Sequence, residues 1–312
     1  MRTTALYTGE TLGRYGFGND HPLGPERLAA FWREFRLRGH DVHTRIFEPR
    51  QATPDEISLF HTNDYIKRVI TQSASGEGYL DCGDTPAFPG IFEAAATVVG
   101  TAIDATRAIM NGDIRRAFIP IAGLHHATRT EAAGFCVFND CGVVIELLLG
   151  EYGLGRVAYV DIDAHHGDGV FYSFETDRRV CVVDIHEDGR FLYPGTGHRN
   201  ETGQGDALGT KLNIPLPPGS GDELFGRVWE AAETYLRSAA PEFIILQCGA
   251  DSIRGDPITH LELSVASHGL VAGRMAAIAD EFANGRMLAL GGGGYNHRNL
   301  AHAWNEVFEQ MG

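Results

Sequence analysis

The sequence predicts an α/β fold in which one mostly parallel β-sheet is sandwiched by helices. Short apolar runs alternate with helical patterns, histidines and aspartates follow several of these runs, and no linker interrupts the alternation. A length of 312 residues allows about two domains, but α/β chains of this size often form one. We therefore predict a single domain over residues 1–312.

Seven apolar runs are predicted as strands, because continuous apolar character over a few residues is typical of strands buried on both faces. They lie at residues 4–7, 42–47, 117–121, 157–161, 180–185, 243–247 and 287–290. Helical patterns separate most of them, so the strands are expected to run parallel.

Six stretches show helical periodicity, at residues 25–37, 91–110, 141–149, 223–236, 262–282 and 299–308. In the second stretch, Ile91, Ala95 and Val98 recur at helical spacing with small residues between them. This pattern predicts a helix that packs closely on the sheet and serves the core only.

The composition restricts partners and location. With 41 acidic and 26 basic residues the net charge is −15, which disfavours nucleic acid and favours cationic ligands. The five cysteines are odd in number and show no CxxC spacing, as expected for reduced thiols in the cytoplasm. No signal-peptide or membrane-spanning segment is apparent, so we expect a cytoplasmic protein without a membrane partner. A homo-oligomer remains open.

Residues 161–168 (Asp-Ile-Asp-Ala-His-His-Gly-Asp) contain the strongest chemical signal. If the extended conformation continues past the strand, Asp163 and His165 point to the same side and can hold one divalent ion. Asp251, which follows the run at 243–247, can supply a third ligand and leave a fourth position for water. An open coordination position indicates catalysis.

Further candidate residues also follow predicted strands, where ligands bind in open parallel sheets. His125 and His126 come after one run, while Asp161 and Asp168 flank the proposed metal ligands. Carboxylates that accept hydrogen bonds from imidazoles fix their tautomer and raise their basicity. These four residues therefore predict two Asp–His dyads.

Several ordered motifs carry a family resemblance. They are His21-Pro22, Pro25-Glu26-Arg27, the segments 84–90, 123–126, 134–140, 161–169, 193–197 and 249–251, Gly255-Asp256-Pro257, and the segment 291–296. The chain resembles the histone deacetylase superfamily, which also includes acetoin-utilization proteins and acetylpolyamine amidohydrolases. This resemblance implies the arginase/deacetylase fold and one Zn²⁺ per chain, with Fe²⁺ or Mn²⁺ as alternatives.

The resemblance also implies the catalytic roles. His126, paired with Asp168, would be the general base, and His125, paired with Asp161, would tune the charge beside it. Tyr295 would polarise the scissile carbonyl and then donate to the oxyanion. A site of two Asp and one His neutralises a divalent ion and acidifies its water less than three His would, so such a base is needed.

The same resemblance implies a tunnel for an acyl-lysine side chain. Phe135, beside Gly134, and Tyr193 would be its aromatic walls, and Asp84 would bind the substrate backbone at the rim. Ile258 stands near the position where polyamine-selective relatives often have an acidic residue. The resemblance therefore favours acyl-lysine proteins or peptides over acetylated polyamines.

A potassium ion is a further implication. In relatives, the segment at Asp184 and Ile185 forms a monovalent-cation site with the backbone near Asp161, Asp163 and His165. Relatives tend to have Ser at position 184. The extra carboxylate here would favour a cation or would pair with a buried base.

Three alternatives stay open. Glu187, Asp188 and Asp84 could meet the distal ammonium of an acetylated polyamine. Asp-Ala-His at 163–165 also occurs in dimanganese ureohydrolases, but only Asp251 and Asp256 stand near the second metal's motif. An inactive acyl-lysine-binding module would be expected to lack Tyr295 or His126, and this chain has both.

Overall fold

The structure is a computed structural model that describes residues 4–18 and 21–312. Its strands are β1 (Thr4–Tyr7), β2 (Ile46–Phe47), β3 (Arg116–Ile119), β4 (Val157–Asp161), β5 (Val180–Glu187), β6 (Lys211–Leu216), β7 (Phe243–Gln247) and β8 (Met287–Leu290). They form one sheet of eight strands in the order β2-β1-β3-β8-β7-β4-β5-β6. Every pairing between these strands is parallel. The sheet is thus wholly parallel, where the sequence predicted a mostly parallel one.

The helices are α1 (Glu26–Leu37), α2 (Pro54–Ile57), α3 (Asn63–Ser75), α4 (Ile91–Met110), α5 (Asp140–Gly150), α6 (Asp168–Ser173), α7 (Asp222–Ala239), α8 (Val265–Phe282) and α9 (His297–Gln310). Short 3-10 helices lie at Leu12–Arg14, His40–Val42 and Gly205–Ala207. Among these described helices, none combines the length and apolar character needed to cross a lipid bilayer.

All seven predicted strands are present, but the predicted run 42–47 was too long. Residues His40–Val42 form a 3-10 helix, and only Ile46–Phe47 pairs with β1. The prediction missed β6, because Lys211, Asn213 and Pro215 interrupt its apolar character. As the last strand of the sheet, β6 tolerates a proline that would break a central ladder.

The six predicted helices are also present, with one clear error at a boundary. The helix predicted from residue 262 begins at Val265, because the Ser264 side chain caps it by accepting a hydrogen bond from the Ala266 amide. The prediction missed α2, α3 and α6. The first two begin at threonine caps, Thr53 and Thr62, which the sequence displays.

The sheet order brings the chemical residues together. Strands β3, β8, β7 and β4 are neighbours at its centre, and every one of their residues is buried. Helix α4 contacts β3 and β8 of the sheet, as predicted. Its closest approach, however, is to the loop after β2, where a Cβ at Gly100 would lie 2.2 Å from the carbonyl oxygen of Arg50. The loops after these four strands therefore share one rigid rim.

Candidate metal centre and active site

Three buried side chains from two of these loops converge as a candidate metal site. One ligand atom from each of Asp163, His165 and Asp251 lies within 4.8 Å of the other two. His165 Nδ1 is 3.0 Å from Asp163 Oδ1 and 3.1 Å from Asp251 Oδ2. The sequence predicted this same set.

The backbone orients the two carboxylates toward His165. The Gly293 amide donates to Asp163 Oδ2 at 2.8 Å, and the Ala164 amide donates to Asp251 Oδ1 at 2.8 Å. Each carboxylate therefore has one oxygen fixed and the other facing the imidazole. A Cβ at Gly293 would lie 2.1 Å from Asp251 Oδ2, so only glycine allows this close approach.

The charges of this cluster fit a divalent cation. Burial, together with the negative charge of Asp163, raises the pKa of Asp251 to about 7. Burial opposes the charged form of His165, but its hydrogen bonds to the two aspartates raise its pKa to about 10. Two buried carboxylates thus share one imidazole, and a bound dication would relieve their mutual repulsion.

Gln247 is a site residue that the sequence reasoning missed. Its Nε2 donates to Asp163 Oδ2 at 2.8 Å, and its Oε1 accepts from the Gly249 amide at 2.8 Å. The available signal was a polar residue at the end of the apolar run that forms β7. Gln247 holds the ligand carboxylate in place.

Two Asp–His pairs lie beside the metal ligands. His125 Nδ1 is 2.8 Å from Asp161 Oδ2, and His126 Nδ1 is 2.7 Å from Asp168 Oδ1. The Nε2 atoms of the two histidines are 3.1 Å apart. The structure therefore contains the two pairs that the resemblance implied.

The two histidines differ in protonation. Burial disfavours the charged form of His125, but the charges of Asp161 and Asp163 raise its pKa to about 10. Burial and the neighbouring charge of His125 lower the pKa of His126 to about 4, despite its pairing with Asp168. At neutral pH, His126 is therefore an unprotonated base beside a charged His125.

Tyr295 lies on the loop after β8, half-buried, with its ring centroid 6.0 Å from that of Phe135. Its amide donates to Asp256 Oδ2 at 2.9 Å, and the Ile258 amide donates to Asp256 Oδ1 at 3.1 Å. Burial raises the pKa of the Tyr295 phenol well above its ordinary value, so the hydroxyl keeps its proton. Asp256 thus joins the Tyr295 loop to the Ile258 segment, a role that sequence reasoning missed.

The Tyr193 ring and the Gly134 backbone flank His126. The Tyr193 ring centroid is 5.1 Å from that of His126, and the Tyr193 side chain is 47% exposed. On another side, a Cβ at Gly134 would lie 2.4 Å from His126 Cδ2 and 3.0 Å from Tyr193 Cε1. Gly134 therefore lets the Phe135 segment approach both rings.

Asp84, which the resemblance implies at the rim, is exposed. Its carbonyl oxygen is 3.0 Å from His21 Nε2. The turn itself is held by Asp81, whose Oδ1 accepts from the amides of Gly83, Asp84 and Thr85 at 2.9 Å each. The Asp84 carboxylate is therefore not needed to close the turn.

Asp184 pairs with the buried His186, and such a pair was one of the two roles expected for this carboxylate, the other being cation binding. Its Oδ1 lies 2.6 Å from His186 Nδ1, and its Oδ2 accepts from the Gly167 amide at 2.9 Å. In the sheet, Asp184 on β5 is the register partner of Asp161 on β4. A monovalent ion near these carboxylates stays a prediction.

Two other acidic residues are already engaged. Glu187 is buried and accepts from the His260 amide at 2.8 Å, with its other oxygen 2.8 Å from His260 Nδ1. Asp188 forms a two-pronged pair with Arg190, whose Nε donates to Oδ1 at 3.0 Å and whose Nη2 donates to Oδ2 at 2.6 Å. Of the three acids considered for a distal ammonium, Asp84 alone keeps an exposed carboxylate without such a pair.

The family model for the histone deacetylase domain matches residues 21–311. The chain belongs to the histone deacetylase family. It is 35% identical to the acetoin utilization protein AcuC of Bacillus subtilis (strain 168), over 100% of this chain and 82% of that protein. AcuC of Staphylococcus xylosus is 34% identical over 99% of this chain and 82% of that protein.

A solved structure agrees with the fold. The crystal structure of the HDA15 HD domain matches with a TM-score of 0.88 and 27% sequence identity, over 99% of this chain and 89% of that chain. The family and these relatives support a deacetylase of this superfamily, a family that is generally metal-dependent. The predicted family and fold are confirmed.

Proposed function

We propose that the protein is a zinc-dependent amidohydrolase that removes acetyl or other acyl groups from the Nε of lysine in proteins or peptides. The observation that carries this proposal is the placement of His126, paired with Asp168, beside the Asp163–His165–Asp251 cluster, with its ring centroid 5.8 Å from that of His165. A dication bound by that cluster would polarise the amide carbonyl and acidify a water molecule.

The protein's own residues would move the protons. His126 Nδ1 faces Asp168, so its Nε2 is the atom that takes a proton from the attacking water and later returns it to the leaving amine. Asp168 stabilises the imidazolium that forms between these steps. Burial, together with the charge of His125 at 3.1 Å, lowers the pKa of His126 and so favours its unprotonated form in the resting enzyme. Tyr295 would donate a hydrogen bond to the oxygen on which negative charge develops.

The identity of the metal needs a direct measurement. Two carboxylates and one imidazole do not select zinc strongly over Fe²⁺ or Mn²⁺. Metal analysis of protein purified without added metal, with activity measured after stripping and reloading each ion, tests the assignment. Protein that hydrolysed amides without any divalent metal would refute it.

The rim supports acyl-lysine as the substrate over an acetylated polyamine. Glu187 and Asp188 are engaged by His260 and Arg190, and Ile258 supplies no charge. The polyamine alternative rests on the net charge of −15 and on the exposed Asp84. Comparing kcat/KM on an acetyl-lysine peptide, a trifluoroacetyl-lysine peptide and acetylated putrescine or spermidine distinguishes the two.

A dimanganese centre is disfavoured by the surroundings of Asp256. Both of its oxygens accept hydrogen bonds from backbone amides, those of Tyr295 and Ile258. In the described part of the chain, the ligand geometry gives one metal cluster, which does not include Asp256. A second ion would therefore lack its bridging carboxylate.

We also propose a potassium site at Asp161, Asp163, His165, Asp184 and Ile185. The facing carboxylates of Asp161 and Asp184 on neighbouring strands support it, since a cation would offset their buried charge. Activity measured in Na⁺, K⁺ and a large organic cation at constant ionic strength tests this site. Equal rates in all three would show that no monovalent ion is needed.

A further inference from the structure

We infer that the buried hydroxyl of Tyr15 is a positioning group that holds Phe135 in the wall of the acyl-lysine tunnel. The inference rests on the proposed function, because it concerns how the tunnel receives its substrate. Tyr15 lies 120 residues away in the chain, just after the 3-10 helix Leu12–Arg14.

The conformation of Phe135 is unfavourable by itself. The residues Ala133 and Cys136 exchange backbone hydrogen bonds of 3.1 and 2.8 Å, so Gly134 and Phe135 form the two-residue tip of a tight turn. Both tip residues have positive φ, 51° for Gly134 and 67° for Phe135. Turns of this kind favour glycine at the second tip position, and an aromatic residue there is strained.

Tyr15 holds this turn from outside. Its hydroxyl donates to the Phe135 carbonyl at 2.7 Å and accepts from the Val137 amide at 3.0 Å. The Tyr15 side chain is buried, so water does not replace these bonds. Strained backbone persists only where its surroundings fix it, and one hydroxyl here fixes the two peptides that follow the strained residue, on either side of Cys136.

The strain places the Phe135 ring at the site. Its ring centroid lies 4.6 Å from that of His21 and 6.0 Å from that of Tyr295. If Phe135 relaxed to negative φ, its side chain would leave this direction. In the proposed tunnel, the ring contacts the substrate chain both before and during the reaction. Loss of the ring therefore weakens the binding of the ground state and of the transition state equally.

The test is a double-mutant cycle on the metal-loaded enzyme. In Tyr15→Phe, KM for an acetyl-lysine peptide should rise about tenfold while kcat changes little, which is the signature of lost uniform binding. Phe135→Gly should raise KM by itself, because the ring is gone and glycine accepts positive φ without strain. Adding Tyr15→Phe to Phe135→Gly should then raise KM no further.

Tyr65→Phe is the matched control. Tyr65 is also a buried phenol, and it donates to the carbonyl of Val137 at 2.7 Å without touching Phe135. Tyr65→Phe loses the same kind of hydrogen bond in the same segment, but the lost bond does not hold Phe135. Its KM should therefore stay near the wild-type value. An equal KM rise in Tyr65→Phe, an unchanged KM in Tyr15→Phe, or additive effects in the cycle would each overturn the inference.

Stability measurements keep the inference testable in every case. If Tyr15→Phe fails to fold, the double variant with Phe135→Gly should recover folding in part, since glycine relieves the strain at residue 135 while the Val137 amide still lacks its acceptor. A double variant that also fails to fold would overturn the inference. Wild-type enzyme without activity on acyl-lysine or acetylated polyamine would refute the proposed function, whereas the rescue of folding by Phe135→Gly would still decide the role of Tyr15.

Discussion

Replacing Tyr295 by Phe should lower kcat by about 10²–10³, the usual effect of deleting one oxyanion donor, or about 2.7–4 kcal/mol. The change removes one oxygen and keeps the ring that contacts Phe135. The backbone of residue 295 stays in place, because its amide is bonded to Asp256.

The structure also predicts where this loss appears. Among the described residues, no hydrogen bond from the Tyr295 hydroxyl is present, so Phe leaves no buried partner unsatisfied. Stability, metal content and KM should therefore change little. The loss should fall on kcat and kcat/KM together, as expected for an interaction made only in the transition state.

Steady-state kinetics on matched acetyl-lysine and trifluoroacetyl-lysine peptides, with metal analysis of each preparation, provides the assay. The loss should be smaller for the trifluoroacetyl peptide, because its carbonyl is already electrophilic. Tyr235→Phe is a suitable control, since that hydroxyl bonds the Gly209 carbonyl just before β6. Near-normal acetyl turnover by Tyr295→Phe would remove this residue from the mechanism.

Three further predictions address the metal, the base and a buried lysine. Asp251→Ala should lose both metal and activity, and a variant that kept one tightly bound metal per chain would contradict the ligand assignment. His126→Ala should lose nearly all turnover, by about 10²–10⁴, while His125→Ala keeps more; equal losses in kcat would show that the roles are wrong. Burial lowers the pKa of Lys211 to about 8, so the unfolded chain binds more protons above that pH. The free energy of unfolding should thus rise from pH 8 to about 10.5, and this rise should be absent in chemical denaturation of Lys211→Met.

The cluster of candidate metal ligands could be predicted from the sequence because each residue lies shortly after a strand that its apolar run reveals. Parallel strands place their carboxyl ends at one edge of the sheet. Asp163 and Asp251 therefore meet there, although they lie 88 positions apart in the sequence. The strand β6 could not be predicted in this way, because an edge strand is buried only in part and its composition is mixed. Helix α6 was missed because it begins at Asp168, inside the catalytic motif itself.

The residues that support the site escaped prediction for a different reason. Gln247, Asp256 and Tyr15 act by hydrogen bonds to backbone or to another side chain, and such partners are fixed only by the tertiary structure. A ligand is recognised by its residue type, since few side chains bind metals. A positioning residue has no such restriction.

The difference between candidate ligands and positioning residues suggests how the site is built. The chemistry-bearing residues lie on loops after four adjacent buried strands, so the sheet fixes their positions. The proposed tunnel walls instead lie on longer segments, and Phe135 keeps a strained conformation that the sheet does not impose. Substitutions at the walls and their supports should therefore alter substrate preference while metal binding and proton transfer persist. Tyr15 and Phe135 are the residues at which this separation can be measured, because neither contacts the metal ligands through a hydrogen bond.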